Sequence, residues 1–207
     1  MPCWSPRSPH DRRAGSPRRA FSLIEAMVAL SITSMAGAVL LLTTEGVLKT
    51  TNDSVAQTIA QGMALQLIDE VLGNRYCAVG ATPYDSSLVP SAWEKAGQGR
   101  ERYNDTDDFN KYSASPPVDP FGILLGQGDD LGGLRHAAMR SPGHDFSNWR
   151  QRVDVYYVDQ DNPTVRLPVN QPTDFRAVEV TIERDEPNGS VRPLANIRRV
   201  FCYVPIP

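Results

Sequence analysis

Glu25 is the residue whose type and position most clearly point to chemistry. It precedes a run, residues 26–44, that has no charged residue, and the next charge along the chain is Glu45. A carboxylate in an apolar, membrane-type segment is costly, so such a residue marks a functional site by default. The chemistry open to it in apolar surroundings is pairing with a cation. The sequence therefore raises the question of which cation Glu25 meets.

Three aspartates, Asp105, Asp107 and Asp108, form a second candidate. In "NDTDDFN" they offer the oxygen ligands that Ca²⁺ prefers. Phe109 and Asn110 break an EF-hand pattern, and acidic loops are more often simply solvated. The sequence shows no Gly-rich phosphate loop, no Gly-x-Ser-x-Gly elbow and no His or Cys set at metal-ligand spacing. We therefore expect no enzyme and no cofactor, with calcium at these aspartates as an open alternative.

The charge of the chain is divided between its two ends. Residues 1–20 are rich in Pro, Ser and Arg and carry +4, so the remainder carries −7 of the total of −3. Basic segments stay on the cytoplasmic side of a membrane. The division predicts a cytoplasmic leader over residues 1–20 and a body that is sent across a membrane. An acidic body also argues against direct nucleic-acid binding.

One long helix is predicted over residues 22–72. Residues 26–44 would span roughly 28 Å at 1.5 Å per residue, enough to cross a bilayer core. Gly73 can cap the end of the helix. We expect residues 21–44 to be its transmembrane half and residues 45–73 its amphipathic half. The amphipathic half is expected to present an apolar stripe at helical spacing, formed by Leu48, Val55, Ile59, Met63, Leu67 and Val71.

The last part of the chain alternates apolar and polar residues as strands do. The "EPNGS" stretch predicts a hairpin turn, "DQDNP" predicts another before "TVRLPV", and residues 74–149 read mostly as loop. The predicted result is an α+β fold, in which the amphipathic half of the helix covers an antiparallel sheet of about four strands within a domain over 74–207. The apolar strand faces are expected to be Val153, Val155 and Tyr157, then Val178, Val180 and Ile182, then Val200, Cys202 and Val204.

The segment Ala-Phe-Ser-Leu-Ile-Glu, residues 20–25, resembles the N-terminus of the type IV pilin and type II secretion pseudopilin superfamily. It follows a basic leader and opens an apolar helix, as in that family, whose outer helix half packs on an antiparallel sheet. The stretch "EAMVALSI" looks most like the minor pilins and minor pseudopilins, and "YNDTDDFNKYSASPP" is similar to the pilus-modification type. Two positions depart from the family pattern: Ala20 replaces the usual Gly, and Leu42 replaces a frequent Pro.

The resemblance implies a processing reaction and a role for Glu25. Prepilin peptidase would cleave between Ala20 and Phe21 and methylate the new amine of Phe21. In the filament, Glu25 would pair with the amine of a neighbouring subunit and so recruit and register it. The implied partners are the peptidase, other pilin or pseudopilin subunits and the inner-membrane assembly platform. Since a subunit at the very tip has no earlier neighbour, Glu25 favours a place below the tip.

Cleavage would also remove Cys3 and leave Cys77 and Cys202. In an oxidising compartment these two can form a disulfide that ties the end of the helix to the last strand. The alternative is two buried free thiols, because Cys202 alternates with Val200 and Val204.

A different class of protein also fits the sequence. A single-pass, membrane-anchored periplasmic binding domain would use the loop region 80–149 as its binding surface. Filament incorporation separates the two classes, because a subunit co-purifies with pilin-like partners and an anchored binder does not.

Overall fold

A computed structural model describes residues 22–126, 136, 140 and 145–205. The cleavage residues Ala20 and Phe21 and the leader lie outside these ranges. The chain divides after Thr50 into two compact units. Its elements are helices α1 and α2, a short 3₁₀ turn and four strands: α1 Leu23–Leu72, α2 Ala92–Lys95, 3₁₀ Asp107–Phe109, β1 Ser113–Ala114, β2 Trp149–Tyr157, β3 Phe175–Asp185 and β4 Val191–Cys202. The predicted α+β fold with one long N-terminal helix is confirmed.

Helix α1 contributes one face to the core of the second unit. The residues that it buries there are Ala56, Ala60, Ala64, Leu67, Ile68 and Val71. They pack against inward-facing residues of β2 and β3, namely Trp149, Val153, Val155, Val178, Val180 and Ile182. The amphipathic half of the helix therefore covers the sheet as predicted.

The predicted apolar stripe of α1 was only partly correct. Leu67 and Val71 are buried, and Ile59 and Met63 are partly buried against the core. Leu48 and Val55 are exposed, at 60% and 38%. The buried face instead includes Ala56, Ala60 and Ala64, each one residue after a predicted position of the stripe.

The four strands form one antiparallel sheet in the order β1-β2-β3-β4. The predicted "EPNGS" turn joins β3 to β4. The Glu186 N–H donates to the Ser190 carbonyl at 2.8 Å, and Gly189 adopts a φ of +80° that favours glycine. On β2 and β3 the predicted inward faces are confirmed, since Val153, Val155, Tyr157, Val178, Val180 and Ile182 are all buried.

Two details of the predicted sheet were wrong. The "TVRLPV" stretch is not a strand and makes only an isolated bridge, Val158 with Arg166. The sheet has four members because β1, Ser113–Ala114 in the loop region, pairs with β2. On β4 the opposite face packs inward: Ile197 and Phe201 contact the core, whereas Val200, Cys202 and Val204 are exposed. Both faces of β4 carry apolar residues, so alternation alone could not distinguish them.

Candidate functional site

The start of α1 is built by a reciprocal pair, Ser22 and Glu25. The Ser22 backbone N–H and hydroxyl both donate to Glu25 Oε2 at 3.0 Å, and the Glu25 N–H donates to the Ser22 hydroxyl at 3.3 Å. This is a capping box, which satisfies two of the backbone donors left over at a helix start. The bonds leave the second carboxylate oxygen of Glu25 able to accept from a cation, so capping and subunit pairing are compatible.

Ser22 is a residue that the sequence interpretation missed. The Ser-x-x-Glu spacing just before an apolar run is itself the signature of a capping box. The carboxylate of Glu25 therefore has a local use, as a helix cap with Ser22, besides the predicted pairing with a cation.

Behind this start, α1 presents apolar side chains to its surroundings in all directions. Within the first unit the exposed fractions reach 82% at Leu23 and 74% at Leu41. The helix is long and apolar enough to cross a membrane. The large exposed side chains between its start and the unit boundary are Leu23, Ile24, Met27, Val28, Leu30, Ile32, Met35, Val39, Leu40, Leu41, Leu42, Val47 and Leu48. Monomeric soluble proteins rarely expose apolar patches of this extent, so the surface is suited to lipid or to other helices.

The hydroxyl groups in this part of α1 are satisfied by the helix itself. Ser31, Thr33 and Thr43 each donate at 2.8 Å to the carbonyl four residues earlier. In a bilayer there is no water to serve these groups, so internal bonding is what a membrane-spanning segment requires.

The three candidate calcium aspartates lie together in the second unit, but their oxygens are used by the protein. Asp108 accepts from the backbone N–H groups of Asn104 and Asp105 at 2.8 and 3.3 Å. Asp105 accepts from the N–H groups of Asp107 and Asp108 at 3.0 and 3.3 Å. Across the described ranges, no group of three or more His, Cys, Asp or Glu is placed to hold a metal ion. The cluster therefore shapes a loop.

Burial and mutual repulsion change the protonation of this cluster. Burial, followed by the charges of Asp107 and Asp108, raises the pKa of Asp105 to about 7. Burial likewise raises the pKa of Asp108 to about 6, against its backbone hydrogen bonds from Asn104 and Asp105. Asp105 is therefore partly protonated near neutral pH.

A buried arginine, Arg176 of β3, holds the loops of the second unit against the sheet. Its side chain is fully buried, with the guanidinium carbon 4.1 Å from the ring centroid of Tyr76. It forms an ion pair of 3.0 Å with Asp107. Its other hydrogen bonds reach two loop carbonyls and two hydroxyls, those of Tyr76, Pro83, Thr106 and Tyr157. No sequence pattern marks this residue, because its partners lie 19 to 100 positions away.

A second arginine, Arg100, ties the loop region to α1. It pairs bidentately with Glu70, with two N–O distances of 2.8 Å, and donates to the Tyr112 hydroxyl at 2.7 Å. Its exposed fraction is only 5%. The two arginines explain how a segment with little regular structure keeps a defined shape.

The two cysteines of the second unit are both free thiols in the structure. Cys77 is half-buried and Cys202 is exposed at the end of β4, so the alternative of two buried thiols is wrong for Cys202, and the disulfide remains a prediction. Their chain neighbours nevertheless meet. The Tyr76 ring packs 5.5 Å from that of Phe201 and 5.3 Å from that of Tyr203.

Comparison with known proteins identifies the N-terminal segment. The family model of the prokaryotic N-terminal methylation motif matches residues 15–41. This motif is the signature of type IV pilins and pseudopilins, so the resemblance seen in residues 20–25 is confirmed. No curated protein and no solved structure matches the chain. The chain thus carries a pilin-type processing motif, an apolar helix able to cross a membrane, and an α+β body of pilin-like arrangement.

Proposed function

We propose that this protein is a minor type IV pilin or minor type II secretion pseudopilin, a structural subunit of a periplasmic or surface filament. The observation that carries the proposal is the exposed apolar surface of α1 directly behind the methylation motif. Such a surface needs lipid before assembly and neighbouring helices afterwards. A folded body on the same chain then projects from the filament core.

The topology of the proposal follows from charge. The basic leader, residues 1–20, stays in the cytoplasm, and the acidic second unit crosses the inner membrane to the periplasm. Prepilin peptidase cleaves between Ala20 and Phe21 and methylates the Phe21 amine. The inner-membrane assembly platform then passes the subunit into the filament, where other pilins or pseudopilins surround it.

Glu25 supplies the subunit contact in this proposal. Two oxygens on one carboxylate let it cap its own helix through Ser22 and accept a charge-assisted hydrogen bond from a neighbour's amine. In a bundle of apolar helices an unpaired carboxylate would be strongly unfavourable, so the pairing also fixes the register of the neighbouring helices.

The test is to express Glu25→Ala and Glu25→Gln with the cognate filament partners and to measure processed subunit and filament-associated subunit separately. We expect cleavage to stay largely intact and filament association to fall at least about tenfold, since neither variant can form the ion pair. The matched control is Glu45→Ala in the same helix, which should assemble normally. Normal incorporation of Glu25→Ala would refute the role of Glu25.

A variant that cannot be cleaved tests the processing step and should show the same loss of assembly. Replacing Ala20 by a bulky residue should block cleavage, so that the Phe21 amine never appears and assembly fails while Glu25 is unchanged. If the uncleaved protein entered filaments, a free amine at Phe21 would not be the partner of Glu25.

Disulfide formation between Cys77 and Cys202 belongs to this proposal as a step after export. The contacts of Tyr76 with Phe201 and Tyr203 bring the two chain segments together. The oxidising periplasm allows the two thiols to form a disulfide, whereas the reducing cytoplasm keeps thiols free. In the chain-entropy description, closing so long a loop stabilises a fold by roughly 4–5 kcal/mol.

A further inference from the structure

The two sides of the sheet, at β2 and at β4, differ in how far other parts of the chain cover their outward backbone groups. On β2, the side that faces away from β3 is covered by β1 and by the loop region. The Val153 N–H donates to the Tyr112 carbonyl at 2.9 Å, and the Val155 N–H donates to the Asn110 side chain at 3.2 Å. The Tyr157 carbonyl accepts from the Leu167 N–H at 2.9 Å. Other parts of the chain therefore occupy this side of the sheet.

Strand β4 forms the opposite edge, and its outward groups can be assigned from one bond. The Tyr203 N–H donates to the Asp174 carbonyl at 2.8 Å, so the polar groups of Tyr203 face β3. Backbone groups alternate between the two sides along an antiparallel strand. The register of β3 with β4 is unbroken from Phe175 opposite Cys202 to Ile182 opposite Ala195. The residues whose N–H and C=O groups face outward are therefore Asn196, Arg198, Val200 and Cys202.

These outward groups have no backbone partner among the residues that the structure describes. The single contact to them is from the Arg199 side chain, whose Nη1 donates to the Arg198 carbonyl at 3.3 Å. A row of unpaired N–H and C=O groups along the edge of a sheet can pair with another strand. The chain thus covers one side of the sheet with β1 and loop residues, and at the other it leaves the outward groups of four alternate residues between 196 and 202 available.

Proline marks where this open edge stops. Glu186 and Ser190 are a hydrogen-bonded pair at the hairpin, so the groups of Arg192 face β3 and those of Pro193 face outward. Pro193 has no N–H, and the register of β3 with β4 shifts between Ile182 and Glu183 at this point. Proline on an edge prevents pairing locally. The pairing-competent stretch is therefore limited to residues 196–202.

Charge decides what kind of strand fits. Within this stretch β4 contains Arg198 and Arg199 and no acidic residue. Arg192 lies outside the stretch and pairs with Asp53 at 3.3 Å, and Glu179 of β3 lies opposite Arg198 on the inner side of the strand. The hydrogen bonds of Arg198 and Arg199 go to uncharged oxygens, those of the Tyr156 hydroxyl, the Pro163 carbonyl and the Arg198 carbonyl. A second copy of β4 would bring arginines together across the pair, which is destabilising. An acidic strand would be favoured.

We propose that the edge of β4 from Asn196 to Cys202 binds an extended, acidic segment of a different protein chain by strand pairing. Backbone hydrogen bonds supply the attachment, as in other cases of strand addition to a sheet edge. Arg198 and Arg199 lie on opposite faces of the sheet, so two adjacent acidic residues would meet one arginine each. The proposal does not depend on filament formation, so the two can fail separately.

The test uses the full chain in detergent micelles and two fluorescent peptides. One is Thr-Val-Thr-Glu-Glu-Val-Thr-Val, and its twin has two lysines in place of the glutamates. We expect the glutamate peptide to bind at least about tenfold more tightly at low salt, because each arginine gains an opposite charge. Equal binding of the two peptides, or no binding, would overturn the proposal.

Amide hydrogen exchange locates the bound peptide. Binding should protect the outward N–H groups of Asn196, Arg198, Val200 and Cys202, whereas those of Ile197, Arg199 and Phe201 are already bonded to β3. This alternating pattern is specific to strand pairing. Uniform protection of β4, or protection elsewhere in the chain, would contradict it.

Three variants separate pairing from folding. Val200→Pro removes an outward N–H without touching the bonds to β3, and should lower affinity about tenfold, whereas Val200→Thr should bind as the wild type does. Arg199→Glu should abolish the preference between the two peptides, because each peptide then meets one like and one opposite charge. Circular dichroism and thermal unfolding establish that each variant is folded. If Val200→Pro fails to fold, the loss of preference in Arg199→Glu decides the proposal.

Discussion

Arg176 and Asp107 are joined by an ion pair of 3.0 Å where the loop region meets the third strand of the sheet. The guanidinium is fully buried, and it is the common partner of loop segments near residues 76, 83 and 106. A planar group with five donors can serve several acceptors at once, which an ammonium group cannot do in this geometry. The shape of the loop region therefore depends on one side chain of the sheet.

Arg176→Met should destabilise the folded body by about 3–5 kcal/mol, because it leaves Asp107 and two partly buried carbonyls without their partner. Arg176→Lys should recover part of this loss, since it keeps the charge but not the second arm of the fork. The measurement is chemical denaturation followed by tryptophan fluorescence.

The control for Arg176 is Arg150→Met. Arg150 pairs with Asp185 at 3.3 Å on the sheet surface, where its side chain is one-third exposed. Surface ion pairs contribute about 0–1 kcal/mol, so this variant should change stability by less than about 1 kcal/mol. Equal losses for Arg150→Met and Arg176→Met would show that Arg176 has no special role.

Asp105 should make stability depend on pH. Burial and then the charges of Asp107 and Asp108 raise its pKa in the folded protein to about 7, against about 3.9 in an unfolded chain. The folded state therefore binds the proton more tightly, and stability from this group increases as pH falls from above 7 and is complete below about 4. Asp105→Asn mimics the protonated form and can still accept the N–H bonds of Asp107 and Asp108.

Accordingly, Asp105→Asn should be more stable than the wild type at pH 8, and its advantage should shrink by about 2–3 kcal/mol between pH 8 and pH 5. Urea unfolding at the two pH values measures the difference. An advantage that is the same at both would mean that Asp105 is ionised in the folded protein at pH 5.

Ser22→Ala tests whether Glu25 acts mainly as a helix cap or as a partner for another subunit. The change removes the hydroxyl that bonds Glu25 but leaves the carboxylate and its charge. Capping losses are about 1 kcal/mol. We expect filament association to stay above about half of the wild-type level.

Ser31→Ala is the matched control for Ser22→Ala, because the Ser31 hydroxyl only bonds the Met27 carbonyl within the helix. If Ser22→Ala abolished assembly as fully as Glu25→Gln while Ser31→Ala did not, the start of the helix would be the required feature and the subunit ion pair would not be.

The state of Cys77 and Cys202 can be read directly on protein recovered from the periplasm. Alkylation of free thiols before and after reduction, with peptide mass spectrometry, should show the two residues protected and linked before reduction. The same protein made in the reducing cytoplasm should be alkylated at both. Full alkylation of the periplasmic protein without reduction would exclude the bond.

A reporter fused after Pro207 tests the proposed orientation. Alkaline phosphatase, which folds only outside the cytoplasm, should be active, and a cytoplasmic reporter at the same point should not. Removing the basic charge of residues 1–20 should reduce the yield of correctly oriented protein. Activity of the cytoplasmic reporter in the unaltered chain would reverse the proposed topology.

The sequence determined the features that depend on neighbouring residues. The long helix, its apolar first part and the Asn-Gly hairpin follow from local pattern, because helix periodicity and turn chemistry act over a few positions. The processing motif and the unusual charge of Glu25 are local in the same sense. The Ser22–Glu25 capping box is local as well, because Ser-x-x-Glu spacing before an apolar run is its sequence signature.

Which face and which edge each element uses depends on contacts between distant parts of the chain. Strand β4 has apolar residues on both faces, so its inward side is fixed by register with β3, and the buried face of α1 is fixed by the core that it shares with the sheet. Arg176 and Arg100 find their partners far along the chain, where spacing carries no signal. The open edge of β4 is likewise a property of the whole fold, because hydrogen bonds between strands are satisfied or left free by elements distant in sequence.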